Sequence, residues 1–327
     1  MLFRTEIESI NSDFKIGIDS QILTVGSCFS EVMGGKFIEN KQQTLSNPFG
    51  TVFNPLSISR LLRFALGLES IDEALVIENQ GVWLHYDFHS SIWGKSKTEL
   101  LENCSRKISE VKDWLQKTDV LMLTFGTAYC YFLKDYDLRL VSNCHKMPAS
   151  HFTKALLDVP RIIDDFETLY DSLLELNQKL YIILTVSPVR HTRDTLEGNQ
   201  VSKSVLRLST YYLTEHFKNV SYFPAFEVML DDLRDYRFYK PDLIHPNEQA
   251  ENYIYEKFAS AYFDKELTGF LKIWQSIRMG LNHKPQYIGT VSHQRFLEEL
   301  LGKLLKLNLK IDLSAEILKI KSELNTF

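Results

Sequence analysis

Long apolar runs alternate with stretches of helical periodicity through most of the chain. The runs VLMLTF at 120–125 and LYIILTVS at 180–187 are rich in Ile, Leu and Val, as in parallel strands covered on both faces. Shorter runs at 21–25, 42–46 and 220–223 complete a set of five predicted strands. Strands of this kind predict an α/β protein built on one parallel sheet.

Between the predicted strands, apolar residues recur at the helical period. The clearest segments are 57–68, 98–117, 161–177 and 202–217. Strands that alternate with helices require right-handed crossovers, which place helices on both faces of the sheet. The sequence therefore predicts a three-layer α/β/α sandwich with a five-stranded parallel sheet. In such sheets, ligands bind beyond the carboxyl ends of the strands.

The pattern becomes purely helical after about residue 250. A segment at 251–267 with an aromatic stripe is predicted as the last helix of the sandwich. Further helical patterns follow at 270–281, 294–307 and 315–324. This change predicts two parts, a sandwich domain of residues 1–267 and a C-terminal helical extension of residues 268–327.

The extension contains a segment dense in Leu and Lys at 296–307. Such a segment can lie on a membrane surface, but acidic residues interrupt its polar face. An amphipathic helix that packs on the protein body or on a second subunit is therefore the preferred interpretation. We expect the extension to serve packing, contact with a partner or assembly of a homo-oligomer.

Composition narrows the class of protein. The chain has 327 residues, of which 44% are hydrophobic and 24% charged, as in ordinary globular proteins. The formal net charge of -5 gives no reason to expect nucleic-acid binding, and no apolar run is long enough to span a bilayer. Residues 1–6 lack the basic and apolar regions of a signal peptide. The four cysteines show no CxxC spacing, so a cytoplasmic location is the simplest expectation.

A candidate nucleophile lies at the end of the first predicted strand. The strand is broken by Gly26, and Ser27 and Cys28 then open an amphipathic helix. A strand–turn–helix of this kind exposes a nucleophile at the carboxyl edge of a sheet, with the helix N-terminus directed at it. A thiol there is expected to have a lowered pKa. The structural alternative is that Ser27 caps the helix and Cys28 is a small buried apolar residue.

A carboxylate and an imidazole lie three residues apart in the segment Asp242-Leu243-Ile244-His245, just before a predicted helix. A hydrogen bond from the His Nδ1 to the carboxylate fixes the tautomer and leaves Nε2 to take a proton from a nucleophile. An Asx-turn that happens to carry a histidine is the alternative interpretation. The candidate nucleophile near the other end of the domain favours a catalytic pair.

Six short motifs occur between about residues 20 and 250. They are Gly26-Ser27-Cys28-Phe29-Ser30, Asn47-Pro48-Phe49-Gly50-Thr51, Phe125-Gly126-Thr127-Ala128, Asn143-Cys144-His145-Lys146, Ser187-Pro188-Val189-Arg190-His191 and Asp242-Leu243-Ile244-His245-Pro246-Asn247. In this order they resemble the GSCFA family, a branch of the SGNH/GDSL hydrolase superfamily, with Ser30 where the family name has Ala. The resemblance implies an SGNH-like fold with a flavodoxin-like strand order.

The resemblance also implies roles for the first and last motifs. In the superfamily, a nucleophilic Ser follows Gly-Asp at the end of the first strand. An ungapped alignment places Ser27 at the Asp position and Cys28 at the nucleophile position. Cys28 is therefore favoured as the nucleophile and Ser27 is the alternative. His245 is the expected general base and Asp242 the residue that orients it.

The expected oxyanion hole departs from the superfamily pattern. There, an Asn in Gly-x-Asn donates to the developing negative charge, whereas this chain has Gly126-Thr127-Ala128. The backbone N–H groups of the nucleophile, of Gly50 and of the Gly126 loop are expected to remain as donors. The candidates for the missing side-chain donor are Asn47, Thr127, Asn143 and His145. For the Asn143–His145 motif, a purely structural loop is the alternative.

Two further segments carry candidate ligands. His85 and His89 are four residues apart, a spacing that can chelate a metal on a helix, but the aromatic residues around them favour a lid with His89 in contact with substrate. Arg190 is a candidate partner for an anionic substrate group, or else one half of a surface salt bridge. Neither GxGxxG nor a P-loop occurs, so we expect no nucleotide, no other cofactor and no metal.

These observations together predict an SGNH-type esterase or acyltransferase. Cys28 or Ser27 attacks a small O-acyl ester, expected to be of acetyl type and carbohydrate-linked, and His245 accepts the proton. Water or a sugar hydroxyl then resolves the acyl-enzyme. The alternative is a non-catalytic module that binds carbohydrate or another ligand through a degenerate oxyanion hole, an interpretation that Ala128 motivates.

Overall fold

The computed structural model describes residues 5–8, 12–136, 138–307 and 311–325. Residues 1–4, part of the segment in which no signal peptide is predicted, lie outside the described residues. Contacts divide the chain into two units, Met1–Tyr262 and Phe263–Phe327. The domain boundary after residue 267 stays a prediction.

The first unit is built on a five-stranded parallel sheet in the order β10-β9-β5-β1-β2. The strands of the described residues are β1 (Gln21–Gly26), β2 (Gln43–Ser46), β3 (Val76–Asn79), β4 (Val82–His85), β5 (Val120–Phe125), β6 (Tyr129–Leu133), β7 (Arg139–Val141), β8 (Phe152–Leu156), β9 (Tyr181–Val186) and β10 (Val220–Tyr222). The predicted sheet and its flavodoxin-like order are confirmed.

Helices cover both faces of this sheet. They are α1 (Cys28–Glu39), α2 (Pro55–Leu66), α3 (Lys97–Leu115), α4 (Val159–Leu176), α5 (Thr195–His216), the one-turn α6 (Ala225–Glu227) and α7 (Glu248–Tyr262). On one face, α1 contacts β1, β2 and α7. On the other face, α2 contacts α3 and α4, and α4 contacts α5. The three-layer sandwich predicted from strand–helix alternation is therefore confirmed.

Local capping explains where several of these helices begin. The Asn54 side chain accepts the Ser57 N–H at 2.9 Å, and Pro55 occupies the first turn of α2. Asn247 caps α7 by accepting the Ala250 N–H at 3.1 Å. The helix α5 begins at Thr195 rather than at 202, because its first two turns are polar and give no apolar period to detect.

Two small antiparallel sheets were not predicted. One pairs β3 with β4, and the other has the order β7-β6-β8. Their strands are three to five residues long and mix polar with apolar positions, so their sequence signal is weak. They lie in the loops that follow α2 and β5, beside the carboxyl edge of the parallel sheet.

The second unit is helical, as predicted for the extension. It contains α8 (Lys265–Asn282), α9 (Val291–Leu307) and α10 (Ser314–Leu324), and α9 contacts both other helices. Each helix buries an apolar stripe, such as Phe270 and Trp274 on α8, whose rings stack at 6.3 Å between centroids. Among the described residues, no helix is long and apolar enough to cross a membrane.

The turn after β1 makes a sharp prediction for stability. Gly26 has φ +146°, and a Cβ built there would overlap the Thr124 carbonyl of β5. We expect Gly26→Ala to lower the free energy of unfolding by about 2 kcal/mol or more, measured by denaturant titration. Gly35→Ala is the control, because Gly35 lies in α1 and a Cβ there meets nothing within 4 Å. Equal stability of the two variants would contradict this account.

Candidate active site

The nucleophile loop is held between two strands. The Ser27 N–H donates to the Thr124 carbonyl at 3.0 Å, and the Val52 N–H donates to the Gly26 carbonyl at 2.9 Å. The helix α1 begins at the next residue, Cys28. The chain therefore turns directly from β1 into α1 at the carboxyl edge of the sheet.

Cys28 is half-buried and faces a cleft of about 360 Å³. The backbone N–H groups of Cys28 and Phe29 are directed at its sulfur and lower the pKa of the thiol. Burial acts in the opposite direction and is the largest influence, so the pKa of Cys28 is raised above its ordinary value. The expectation of a lowered pKa is therefore wrong, because it counted the helix N-terminus and left out desolvation.

Ser27 is fully buried, with 0% of its surface exposed. Its hydroxyl makes no capping hydrogen bond to α1 and has no hydrogen-bond partner among the described residues. Ser27 therefore occupies the N-cap position of α1 without capping the helix through its side chain. Of the two candidate nucleophiles, only Cys28 reaches the cleft.

Asp242 and His245 form the hydrogen bond that their spacing suggests. The His245 Nδ1 lies 2.7 Å from the Asp242 Oδ2, which leaves Nε2 as the ring nitrogen that can act on a nucleophile. The other carboxylate oxygen accepts the N–H groups of Ile244 at 2.9 Å and His245 at 3.0 Å. These backbone hydrogen bonds, and then the His245 ring, lower the pKa of Asp242 to about 2.

The Asp–His loop is strained and braced from outside. Leu243 has φ +57°, in the left-handed region that branched side chains avoid. The Lys240 N–H donates to the His245 carbonyl at 2.7 Å, and Arg190 donates from its backbone to the Ile244 carbonyl at 3.2 Å and from its side chain to the Leu243 carbonyl at 3.3 Å. Hydrogen bonds from Lys240 and Arg190 to the carbonyls of the loop therefore hold its shape.

Arg190 thus serves the Asp–His loop. Its guanidinium also lies over the Tyr239 ring, 4.0 Å from the centroid. The structure gives it no carboxylate partner among the described residues, so the surface salt-bridge interpretation is wrong. Its predicted contact with an anionic substrate group stays a prediction.

Cys28 and His245 face the same cleft. No hydrogen bond joins the sulfur to the imidazole within the described part of the chain. Charged side chains line the rest of the cleft, and two of them, Lys240 and Glu251, form an ion pair at 3.1 Å. The thiol and the imidazole therefore line one cleft, and the Asp242 carboxylate binds the other ring nitrogen of that imidazole.

The predicted backbone donors near Gly50 and Gly126 are already used. The Gly50 N–H donates to the Asn47 carbonyl at 2.8 Å. The N–H groups of Gly126 and Thr127 both donate to the Phe53 carbonyl, at 2.7 and 3.0 Å. The role predicted for these amides as oxyanion donors is corrected, because the loops consume them. The amides at the start of α1 remain directed at the sulfur.

The Asn47 and Thr127 side chains also make hydrogen bonds within the protein, although the Asn47 donor group takes part in none of them among the described residues. The Asn47 Oδ1 accepts the Gly26 N–H at 3.0 Å, and its buried Nδ2 has no partner among the described residues. The Thr127 hydroxyl bonds the Ser202 hydroxyl at 2.9 Å, and Ser202 accepts the Ala128 N–H at 2.7 Å. Both residues therefore brace the loops around the nucleophile.

Asn143 and His145 form a structural loop. The Asn143 Oδ1 accepts the His145 N–H at 2.8 Å, and the His145 Nε2 lies 2.9 Å from the His85 carbonyl. His145 is buried, which lowers its pKa. His89 is half-buried, packs against Gly50 and interacts electrostatically with Glu31 of the cleft, so it lies at the margin of the site.

The His85–His89 segment is not a helix. The strand β4 ends at His85, and a turn follows. The His85 Nδ1 accepts the Asp87 N–H at 3.1 Å, and its Nε2 lies 3.0 Å from the Asp72 carbonyl. Tyr86 and Phe88 are buried in the core, which corrects the prediction of a lid. Among the described residues, no group of three or more His, Cys, Asp or Glu is placed to hold a metal ion.

One residue of the site, Lys203, was missed. It lies on α5, is 1% exposed, and donates from Nζ to the Gly126 and Ser187 carbonyls, both at 2.7 Å. Burial lowers its pKa to about 7, while Cys28 acts in the opposite direction. A signal existed, because Lys203 falls in register with Leu206 and Leu213 on the buried face of the helix.

The fold defines an α/β sandwich protein with Cys28 directly after the first strand and an Asp–His pair before the last helix of the sandwich. The chain belongs to the GSCFA family, whose model matches residues 21–258. A second model, GSCFA domain protein, C-terminal domain, matches residues 274–326.

Two solved structures are similar to this chain at low sequence identity. A carbohydrate esterase family 3 protein from Talaromyces cellulolyticus is 9% identical, with a TM-score of 0.38, over 77% of this chain and 98% of its own. An acetyl esterase mutant with acetate ion is 10% identical, with a TM-score of 0.36, over 77% of this chain and 98% of its own. Neither value is high enough to transfer an activity. No curated protein matches the chain significantly.

The Asp–His pair predicts a pH-dependent contribution to stability. Because the pKa of Asp242 is lowered to about 2, the unfolded chain binds more protons at this group between about pH 4 and 2. The stabilisation is present above that window and is lost as the pH falls through it. We therefore expect the difference in unfolding temperature between the parent and Asp242→Asn to shrink on acidification. Asp235→Asn controls for the lost charge, and a constant difference would contradict the assignment.

Proposed function

We propose that the protein is an acyl-group enzyme in which Cys28, His245 and Asp242 act as nucleophile, general base and orienting carboxylate. The observation that carries this proposal is that Cys28 and His245 face one cleft while Asp242 holds the His245 Nδ1 at 2.7 Å. A thiol, an imidazole and a carboxylate in this relation are the parts of a nucleophilic triad.

The reaction begins when the His245 Nε2 takes the Cys28 proton. The sulfur attacks the acyl carbonyl, the carbonyl oxygen becomes negative, and the N–H groups at the start of α1 are the donors placed near the sulfur to stabilise it. Collapse expels the alkoxide, which receives the proton from His245. The acyl group then resides on Cys28 as a thioester.

Water or an acceptor hydroxyl completes the cycle. His245 takes a proton from that oxygen, the oxygen attacks the thioester, and the Cys28 sulfur leaves and regains its proton. Attack by water gives hydrolysis, and attack by a sugar hydroxyl gives transfer. We favour hydrolysis of an acetyl-type ester on a carbohydrate or other small molecule, since a cleft of about 360 Å³ suits a small substrate.

The alternative function is a binding module without turnover. The observation that favours it is the use of the Gly50, Gly126 and Thr127 amides by their own loops. Ala128 also offers no side-chain donor. In this version the same cleft holds an ester or carbohydrate, and Cys28 does not react.

We also propose a cytoplasmic setting and assembly through the C-terminal helices. The four cysteines are unpaired, which suits a reducing compartment. The helix α8 exposes Ile273 and Met279, and α10 exposes Leu318, apolar surface that a second copy could cover. Sedimentation of the intact chain beside a chain with polar residues at these positions tests assembly.

The enzyme proposal predicts a covalent adduct on Cys28. Intact mass after brief incubation with an activated acetyl ester should show one added acetyl group, mapped to the peptide that contains Cys28. Cys28→Ala should lack it. His245→Ala should form it at least about 10²-fold more slowly, because the base is lost. Ser27→Ala is the matched control and should still form it, since Ser27 is buried.

Other outcomes separate the alternatives. Loss of the adduct in Ser27→Ala alone would reassign the nucleophile to Ser27. No adduct in any protein, with a sugar ester still bound, would favour the binding module. Asp242→Asn should fall between the parent and His245→Ala, because it disturbs the tautomer and keeps the base.

A further inference from the structure

We propose that Lys203 is a positioning residue that stabilises the thiolate form of Cys28 from beneath the edge of the sheet. This inference rests on the proposed function, in which Cys28 is the nucleophile. It assigns the activation of the sulfur to a buried ammonium group as well as to His245.

The position of the Lys203 ammonium is fixed by two strands. Its Nζ donates to the carbonyls of Gly126 and Ser187, both at 2.7 Å. These residues directly follow β5 and β9, so the charge lies at the carboxyl edge of the sheet. With 1% of its surface exposed, the side chain cannot move into solvent without breaking the packing of α5.

The same strand ends hold the nucleophile loop. A Cβ built on Gly126 would lie 3.2 Å from the Ser27 Cβ, so the two loops are in contact. Ser27 donates to the Thr124 carbonyl on β5 at 3.0 Å. The Lys203 ammonium is therefore hydrogen-bonded to the loop that contacts the nucleophile loop. Lys203 and Cys28 each affect the ionisation of the other.

Lys203 has no other anion to balance it. Within the described residues it forms no ion pair with a carboxylate, and its hydrogen bonds go to neutral carbonyls. A buried charge without a partner is costly, which is why burial lowers its pKa to about 7. The Cys28 sulfur is the neighbouring group that becomes negative during the reaction.

The other charged groups around the pair do not replace Lys203. On α1, Glu31 raises the pKa of Cys28 and so opposes the thiolate. His191 lies near both Lys203 and His245, but burial and then the Lys203 charge lower its pKa to about 4, so it is neutral at neutral pH. The Phe226 ring lies 5.6 Å from the Lys203 Nζ and carries no charge. Of the lysines that line the cleft, Lys240 pairs with Glu251 and Lys36 donates to the Asn252 side chain. Lys203 is therefore the cation that we assign to the thiolate.

The proton balance is simple. The thiol proton passes to the His245 Nε2, and Lys203 keeps its own three protons. The product is a thiolate beside an ammonium, and no oxidant, reductant or further reactant is needed. When the thioester forms, the negative charge passes from the sulfur to the acyl oxygen and leaves with the alcohol, so the sulfur is neutral and Lys203 again has no anionic neighbour.

The first experiment measures the thiolate directly, without a substrate. The rate of Cys28 alkylation by iodoacetamide is followed against pH by peptide mass in the parent, Lys203→Met and Lys203→Arg, with Cys28→Ala as the blank. Lys203→Met should raise the pH midpoint and slow alkylation at neutral pH by about tenfold or more, since the opposite charge is lost. Lys203→Arg should restore most of the rate. An unchanged midpoint in a folded Lys203→Met protein would overturn the proposal.

A second experiment leaves Lys203 in place, in case its replacement prevents folding. The Lys203 side chain is titrated by ¹³C NMR of labelled lysine in the parent and in Cys28→Ala. Because the coupling is reciprocal, removing the thiolate should lower the pKa of Lys203. Identical titration curves would overturn the proposal.

The two proposals can fail separately. A coupled Cys28–Lys203 titration without an acetyl adduct would reject the acyl-enzyme and keep the ion pair. An acetyl adduct that forms at the parent rate in Lys203→Met, with an unshifted alkylation midpoint, would reject the ion pair and keep the acyl-enzyme.

Discussion

The backbone of Gly26 on β1 lies so near the Thr124 carbonyl on β5 that a Cβ on Gly26 would overlap that oxygen. Because a side chain at Gly26 would not fit, the neighbouring strands β1 and β5 approach each other closely where β1 ends. That contact directs the chain into α1 and places Cys28 at the mouth of a cleft. The same loop is then tied by Asn47 and Val52. The position of the sulfur thus follows from backbone packing.

Opposing influences set the ionisation of that sulfur. Burial and the Glu31 charge disfavour the thiolate, whereas Lys203 and the amides at the start of α1 favour it. Burial is the largest of these influences, so a helix N-terminus by itself does not lower the pKa of this cysteine. In the proposed reaction, His245 therefore removes the proton and Lys203 stabilises the thiolate that results.

The sequence predicted what depends on local pattern. Continuous apolar runs at 120–125 and 180–187 marked the central strands, and the three-residue spacing of Asp242 and His245 marked their hydrogen bond. It could not predict how loops use their own amides, because the Gly126 N–H finds its acceptor in Phe53, a residue brought near by the fold. The lowered pKa expected for the thiol failed for the same reason.

The role of Lys203 could not be predicted from the sequence for a different reason. A lysine on the buried face of a helix contradicts the apolar pattern, and that contradiction was visible in the sequence. The hydrogen-bond partners of Lys203 were not visible in the sequence, since the Gly126 and Ser187 carbonyls are 77 and 16 residues away along the chain. Short polar-apolar strands such as β7 were missed because three residues carry too little periodicity.

The Asp242 carboxylate lies in solvent, with 43% of its side chain exposed, unlike the buried Ser27 and Lys203. Water and dissolved ions therefore surround one side of the Asp–His pair, and its Coulombic attraction is strongly attenuated by the high dielectric constant. Screening does not change the geometry of the hydrogen bond, which still selects one imidazole tautomer and one ring orientation. In this family member, the aspartate therefore fixes the geometry of His245 more than it supplies electrostatic energy.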